Sequence, residues 1–195
     1  NGGLLTTCGL THVGPPEKDG IWELGLHGRI SNIPASEVSY NTKWVDNELV
    51  FTVEGKMRET GMFLQNLLLH RKLQAYGGKN KVVLHDEIIN EGYEDAPCMI
   101  LYHMNMGFPL VDQGSQLVAP ILHTHARDEE AQKGIERFNQ FEAPTPGYKE
   151  QVFFHKVAVD NEKNTCVGIV NESMNLGIYI RYNQEELPFF TQWKM

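Results

Sequence analysis

The sequence predicts an all-β protein built mainly from antiparallel strands. Short runs rich in β-branched and aromatic residues alternate with turn residues, and the 195 residues include 18 glycines and 9 prolines. Strands at such regular spacing are typical of an antiparallel sandwich or barrel. The predicted strands span residues 49–57, 62–76, 81–90, 98–106, 151–160, 166–173 and 176–183.

The run at 151–160 shows the two-residue period most clearly. Side chains that alternate in this way point to opposite faces of a strand, so the pattern predicts a half-buried strand. One face would carry Val152, Phe154, Lys156 and Ala158, and the other Phe153, His155, Val157 and Val159.

Two short polar segments between strand runs, 76–80 and 160–164, have the length and residue types of tight turns. Each is predicted to connect its two flanking runs as a hairpin. The segment 126–141 predicts a short helix inserted between strands, because Ala131, Ile135 and Phe138 are spaced for one helix face. Gly134 weakens this helix, and Pro144 ends it. No repeat or linker divides residues 1–195, which we expect to form one domain.

Composition limits the function. The formal net charge of −8 disfavours nucleic acid as a partner, since binding to phosphates needs a cationic surface. No apolar run approaches the length of about 20 residues that a membrane helix needs. Cys8, Cys98 and Cys166 lie far apart, which indicates neither a zinc site nor a disulfide framework and favours a reducing, cytoplasmic location.

Two histidines with glycine-containing flanks are the strongest candidates for chemistry. His27 lies in LHGRISN (26–32), and His103 lies in ILYHMNMGFPL (100–110). Imidazole has an unperturbed pKa of about 6.5 and can exchange a proton near neutral pH. The alternative for both is a structural role, with the ring bonded to a backbone carbonyl or placed in a turn.

Several segments resemble the galactose mutarotase (aldose 1-epimerase) superfamily, and in particular an uncharacterised bacterial branch of it. The similar segments are TTCGLTHVGPP (6–16), LHGRISNIPA (26–35), NEGYEDAPCMILYHMNMGFPLVDQGS (90–115), GYKEQVFFH (147–155) and LPFFTQWKM (187–195). The resemblance implies an antiparallel β-supersandwich. It also implies an incomplete copy of the domain, because superfamily strands before the first segment and after the last have no counterpart.

The resemblance implies an enzyme that interconverts the anomers of a sugar or sugar derivative, without a metal or cofactor. His103 would be the general acid that protonates the ring oxygen. His27 would contact the sugar near that oxygen, Gly28 would allow a close backbone approach, and Arg29 would hold two adjacent hydroxyl groups.

Four more residues are predicted to bind the sugar. Glu150 and Gln151 resemble the superfamily segment in which an acid binds a hydroxyl group, although the acid comes one residue late here. Trp193 could stack on a pyranose ring or pack in the core, and His12 is a possible third histidine. The superfamily's catalytic base is a Glu near its C-terminus, and no residue up to position 195 matches it.

Two alternatives remain open. A carbohydrate-binding domain with the same fold would use the same contacts without turnover. A cupin-like metalloenzyme would use His123, His125 and Glu129, whose spacing matches the first half of a cupin motif. Neither the sugar nor its phosphorylation state follows from the sequence, nor does the oligomeric state.

Overall fold

The structure is a computed structural model that describes residues 3–20 and 22–195. In this part of the chain strands dominate, all the strand pairs are antiparallel, and one short α-helix is present. The prediction of an all-β antiparallel protein with one inserted helix is therefore confirmed. The chain forms two compact units, residues 1–105 and 106–195.

The described residues of the first unit form eight strands. They are β1 (Leu5–Leu10), β2 (Glu17–Asp19), β3 (Trp22–Leu24), β4 (Ser36–Val45), β5 (Glu48–Thr60), β6 (Asn66–Tyr76), β7 (Val82–Asn90) and β8 (Met99–Met104). Strands β4 to β7 form a four-stranded sheet in chain order, whereas β1 pairs with β8 and β2 with β3. The turn after Tyr76 joins β6 to β7 as the predicted hairpin.

The core of this unit lies where β1 meets β6. Leu10, Ile30, Leu67 and Leu69 form a buried cluster. Ile30 belongs to a single 3₁₀ turn, Ile30–Asn32, that follows the His27 segment. Burial of such aliphatic side chains stabilises a fold by about 1.5–3 kcal/mol each. The cluster therefore anchors both β1 and the segment that follows His27.

The second unit contains six strands and the helix. The strands are β9 (Gln116–Val118), β10 (Ile121–Ala126), β11 (Gln151–Val157), β12 (Asn164–Asn171), β13 (Leu176–Asn183) and β14 (Phe190–Lys194), and the helix is α1 (Glu129–Lys133). They form two three-stranded sheets, ordered β10-β11-β14 and β13-β12-β9.

The segment 160–164 is a tight turn, in which Asp160 N–H donates to Asn164 O at 2.9 Å. The predicted hairpin is wrong, however, because β11 pairs with β10 and β14, whereas β12 pairs with β9 and β13. A turn sequence fixes the local chain reversal but not the long-range pairing of the strands that it joins.

The inserted helix is shorter than the predicted segment. It starts after Asp128, whose side chain accepts a hydrogen bond from Ala131 N–H, and ends at Gly134. Ala131 is fully buried, and Ile135 and Phe138 pack on the same cluster as Phe153, so the predicted apolar face is confirmed. Gly134 breaks the segment into α1 and a 3₁₀ turn, Ile135–Arg137.

The alternation predicted for β11 is also confirmed over most of its length. Phe153, His155 and Val157 are buried, whereas Phe154 and Lys156 are exposed. The three cysteines are free thiols. Across the described ranges, 3–20 and 22–195, no helix is both long and apolar enough to span a membrane.

Candidate functional site

His27 lies in a turn of the first unit and has a left-handed backbone conformation, with φ of 62°. Few residues other than glycine adopt this conformation, and such strain persists only where the surroundings enforce it. Hydrogen bonds with β1 and the loop after it do so here. The N–H of His27 donates to Gly14 O at 2.9 Å, and the carbonyl of His27 accepts from Gly9 N–H at 3.1 Å.

The ring of His27 is fixed by the same loop. Its Nδ1 lies 3.1 Å from Val13 O. Since a carbonyl oxygen can only accept, Nδ1 carries a proton, and Nε2 is the nitrogen left for chemistry.

Gly28 makes the close approach of these segments possible. Its φ is +77°, and a Cβ atom there would lie 2.1 Å from His12 O and 2.4 Å from Gly9 O. No other residue fits at this position without displacing backbone. The sequence predicted that Gly28 would allow the backbone to approach the sugar closely. The close approach in the structure is between Gly28 and the backbone of β1 and the loop after it.

His103 lies within β8, as the predicted strand 98–106 implies, and it pairs with Thr6 of β1. Gly9 of β1 pairs with Ile100 on one side and forms a bridge with Gly28 on the other. Strand β1 therefore holds the His27 turn next to β8. The ring centroids of His27 and His103 are 5.4 Å apart, with the ring planes tilted by 59°.

The surroundings of His103 disfavour its charged form. Partial burial lowers the pKa of His103, and a positive charge on His27 lowers it further, whereas a hydrogen bond with Asn105 opposes this. The structure thus brings two imidazoles from distant sequence positions together, and a positive charge on His27 disfavours protonation of His103.

The other two predicted residues of this unit lie on either side of the His27 turn. His12 is buried and its Nε2 donates to Pro15 O at 2.8 Å, which is a structural hydrogen bond within the loop. Arg29 is exposed, and its Nη2 lies 3.4 Å from Thr60 O at the end of β5. Their contacts with a sugar remain predictions.

In the second unit, Glu150 and Trp193 are in direct contact. Trp193 Nε1–H donates to one carboxylate oxygen of Glu150 at 2.8 Å, and Arg127 Nη2 donates to the other at 2.8 Å. Arg127 and, secondarily, Trp193 lower the pKa of Glu150, so that the carboxylate is charged at neutral pH. Trp193 is 48% exposed. We call Arg127, Glu150 and Trp193 the Trp193 cluster.

Gln151 is on the other side of this sheet. It is buried, its Nε2 donates to Glu130 O at 3.2 Å, and its Oε1 accepts from Tyr148 OH at 3.3 Å. A Cβ atom on Gly134 would lie 2.1 Å from Gln151 Oε1. Gln151 therefore holds α1 against β11, and the structure does not bring it together with the Trp193 cluster.

His123 and His125 lie on β10, and Glu129 is the first residue of α1. Within the residues that the structure describes, no three His, Cys, Asp or Glu side chains are arranged to hold a metal ion. Glu129 lies on a helix, whereas the cupin motif requires this acid beside the histidines on a strand. The geometry gives the cupin alternative no support.

Sequence reasoning missed Arg127, which orders Glu150, and Glu59, which supports the loop after β1. Arg127 comes directly after β10, and its partner is 23 residues away. Glu59 and Thr11 are 48 residues apart. No local signal connects such positions, because their contacts depend on strand register.

The sequence model of one family, described as a domain of unknown function (DUF4432), matches residues 1–195. The chain belongs to this family. None of the curated proteins compared with the chain matches it.

One solved structure is closely similar, the crystal structure of a putative aldose 1-epimerase from Klebsiella pneumoniae. Its TM-score is 0.94 at 26% sequence identity, over 98% of this chain and 50% of the other. The chain thus spans about half the length of that protein. This similarity confirms the epimerase-type fold and supports the superfamily resemblance, whereas the particular bacterial branch stays a prediction.

Proposed function

We propose that the protein acts on a sugar as an aldose 1-epimerase, interconverting its anomers by proton transfer. The observation that carries this proposal is the pair of imidazoles, His27 and His103, 5.4 Å apart in a fold similar to that of an epimerase-like structure. Opening and closing a hemiacetal ring requires one group that donates a proton and another that accepts one. Proton transfer of this kind needs neither a metal nor a cofactor.

In this proposal His103, in its protonated form, delivers a proton to the ring oxygen. Its lowered pKa makes the protonated ring a stronger acid, although fewer molecules carry the proton at neutral pH. His27 accepts the proton of the C1 hydroxyl at Nε2, because its own ring proton is on Nδ1, bound to Val13 O. Arg29 offers its planar donor groups to neighbouring hydroxyls.

A test is anomer exchange followed by NMR with a panel of aldoses. Replacing His103 by Ala should slow exchange about 10²-fold or more, as expected for the loss of a general acid. The matched control is His85→Ala, which removes an exposed imidazole from β7 of the same unit. Near-normal exchange in His103→Ala would refute the role of His103.

A carbohydrate-binding domain without turnover is the second candidate, and the Trp193 cluster favours it. A half-exposed indole next to a charged carboxylate offers an apolar ring face and hydrogen-bond acceptors, which suits a sugar. Saturation-transfer NMR distinguishes the two candidates. Binding of aldoses without accelerated exchange, lost in Trp193→Ala, would support the binding domain.

A further inference from the structure

Glu59 is a buried acid whose role the proposed reaction does not explain. It is the penultimate residue of β5, has no exposed surface, and pairs with Leu67 of the buried cluster. Its Oε2 accepts from Leu10 N–H at 2.8 Å, and its Oε1 accepts from the Thr11 hydroxyl at 2.5 Å. Among the described residues, Glu59 forms no ion pair with Lys, Arg or His.

A charge in an apolar cluster is costly unless hydrogen bonds compensate for its lost hydration. These two bonds of Glu59 go to the point where the chain leaves β1, since Leu10 is the last residue of that strand. A longer third bond, from Gln65 Nε2 to Glu59 Oε1 at 3.5 Å, comes from the segment just before β6. The carboxylate therefore fixes the direction in which the next residues depart.

Those next residues hold His27. The carbonyl of Val13 binds the Nδ1 side of the ring, and the carbonyl of Gly14 accepts the backbone N–H. A shift of the loop would move both carbonyls and so the ring. The chain of contacts runs from Glu59 through Leu10 and Thr11 to Val13 and Gly14, and ends at His27.

We infer that Glu59 is a positioning residue for His27, acting through the loop at residues 10–14. The catalytic consequence rests on the proposed epimerase function, whereas the positioning itself does not. A carboxylate suits this role because it supplies two acceptor oxygens to two donors. Glutamine has one acceptor oxygen and adds an NH₂ group, so one of the two donors would lose its partner.

Two variants test the inference. Glu59→Gln preserves the size of the side chain and disrupts one or both bonds, whereas Thr11→Val removes only the bond from the hydroxyl. The matched control is Glu91→Gln, which removes an exposed carboxylate paired with Arg58 in the same unit. The primary measurement is the ¹⁵N and ¹H NMR signals of the His27 ring, assigned by their loss in His27→Asn, with circular dichroism and thermal unfolding as measures of folding.

The inference predicts that Glu59→Gln and Thr11→Val remain folded and that the His27 ring signals shift in both. Glu91→Gln should leave the ring signals unchanged. A purely structural role would lower the melting temperature without altering the ring of the folded protein. Unchanged His27 signals in folded Glu59→Gln would overturn the inference, and if this variant does not fold, unchanged signals in Thr11→Val would overturn it.

Activity adds a second measurement. If the protein exchanges anomers, Glu59→Gln should lower kcat between about tenfold and a hundredfold with a smaller change in KM, as for a misplaced catalytic group. Glu59→Asp, which keeps the carboxylate on a shorter side chain, should have a kcat below that of the wild type. If the wild-type protein exchanges no anomers, the proposed function fails, and the NMR signals of His27 still decide whether Glu59 positions the ring.

Discussion

The ring centroids of His27 and His103 lie 5.4 Å apart although the two residues are 76 positions apart in the sequence. A positive charge on His27 lowers the pKa of His103, since like charges repel in a partly buried site. In the proposed reaction protonated His103 is the donor and Nε2 of His27 is the acceptor, and ring opening requires both.

The first prediction concerns the pKa of His103. The variant His27→Asn removes the imidazole that contributes to the lowered pKa of His103, and Asn tolerates the left-handed backbone at this position better than most residues. The pKa of His103 should rise, but it should stay below its ordinary value because burial is the larger cause of its lowering. The measurement is an NMR titration of the His103 Hε1 signal.

The matched control for this titration is His85→Asn, which changes an exposed histidine of β7. It should leave the His103 titration unchanged. An unchanged His103 pKa in His27→Asn would contradict the coupling of the two rings.

The second prediction is the pH dependence of anomer exchange. If protonated His103 is the acid, kcat/KM should fall as the pH rises through its pKa, because the proton is then lost. This pKa is lowered, so the fall should be centred below the ordinary value of about 6.5. In His27→Asn the fall should move to higher pH together with the NMR titration. A rate that rises through this range would show that neutral His103 is the active form.

Local sequence patterns predicted the elements better than their contacts. The alternation in β11 and the apolar face of Ala131, Ile135 and Phe138 were readable because side-chain direction follows the period of a strand or helix. The hairpin predicted at 160–164 was wrong, because a chain reversal does not determine which strands pair. Contacts across strands need the register, which no single segment encodes.

The same limit applies to the candidate site. The sequence indicated His27 and His103 separately, and their closeness arises from Gly9, which pairs with Ile100 and forms a bridge with Gly28. The contacts of Glu150 with Arg127 and of Glu59 with Thr11 also join distant segments. Gln151 was predicted to bind the sugar together with Glu150, its neighbour in the sequence. Its side chain is instead buried and bonded to Glu130 O of α1, a contact that the sequence next to it does not reveal.

The third prediction concerns the Trp193 cluster. Arg127→Gln removes the main cause of the lowered pKa of Glu150, so this pKa should rise towards its ordinary value. The free energy of unfolding should change by less than about 1 kcal/mol, because both side chains are solvent-exposed. The measurements are NMR titration of the Glu150 carboxyl carbon and urea unfolding. Arg181→Gln, which breaks the exposed pair with Asp160, should leave the Glu150 titration unchanged.

The fourth prediction concerns His155, which is 6% exposed. The Thr124 hydroxyl bonds to its Nδ1 at 3.0 Å, and its Nε2–H donates to Gln192 Oε1 at 3.1 Å. Burial lowers the pKa of His155. Between the unfolded pKa, about 6.5, and the lower folded value, the unfolded chain binds a proton that the folded chain does not.

The contribution of His155 to the free energy of unfolding should therefore be fully present above about pH 6.5 and should decrease as the pH drops below it. His155→Gln should flatten this dependence and should also cost about 1–3 kcal/mol at neutral pH, because buried partners lose hydrogen bonds. The measurement is urea unfolding of both proteins from pH 5 to 8, about the range in which histidine titrates. The pKa of His103 is also lowered, so both proteins should lose some stability at low pH. The test is therefore whether the plots of unfolding free energy against pH differ between wild type and His155→Gln, and parallel plots would contradict the prediction.

The last prediction separates two costs of replacing a glycine. Gly28 and Gly78 both have a left-handed φ, +77° and +73°, but a Cβ atom at Gly28 would meet backbone oxygens at 2.1 and 2.4 Å, whereas nothing lies within 4 Å of one at Gly78. Gly78→Ala should lose only the conformational cost, about 1–2 kcal/mol. Gly28→Ala should lose distinctly more, because β1 and the loop that holds His27 must move. Urea unfolding of the two variants measures both costs. If Gly28→Ala remains folded, the NMR signals of its His27 ring should also shift. Equal costs at the two glycines would mean that the His27 turn is not packed against the backbone of β1.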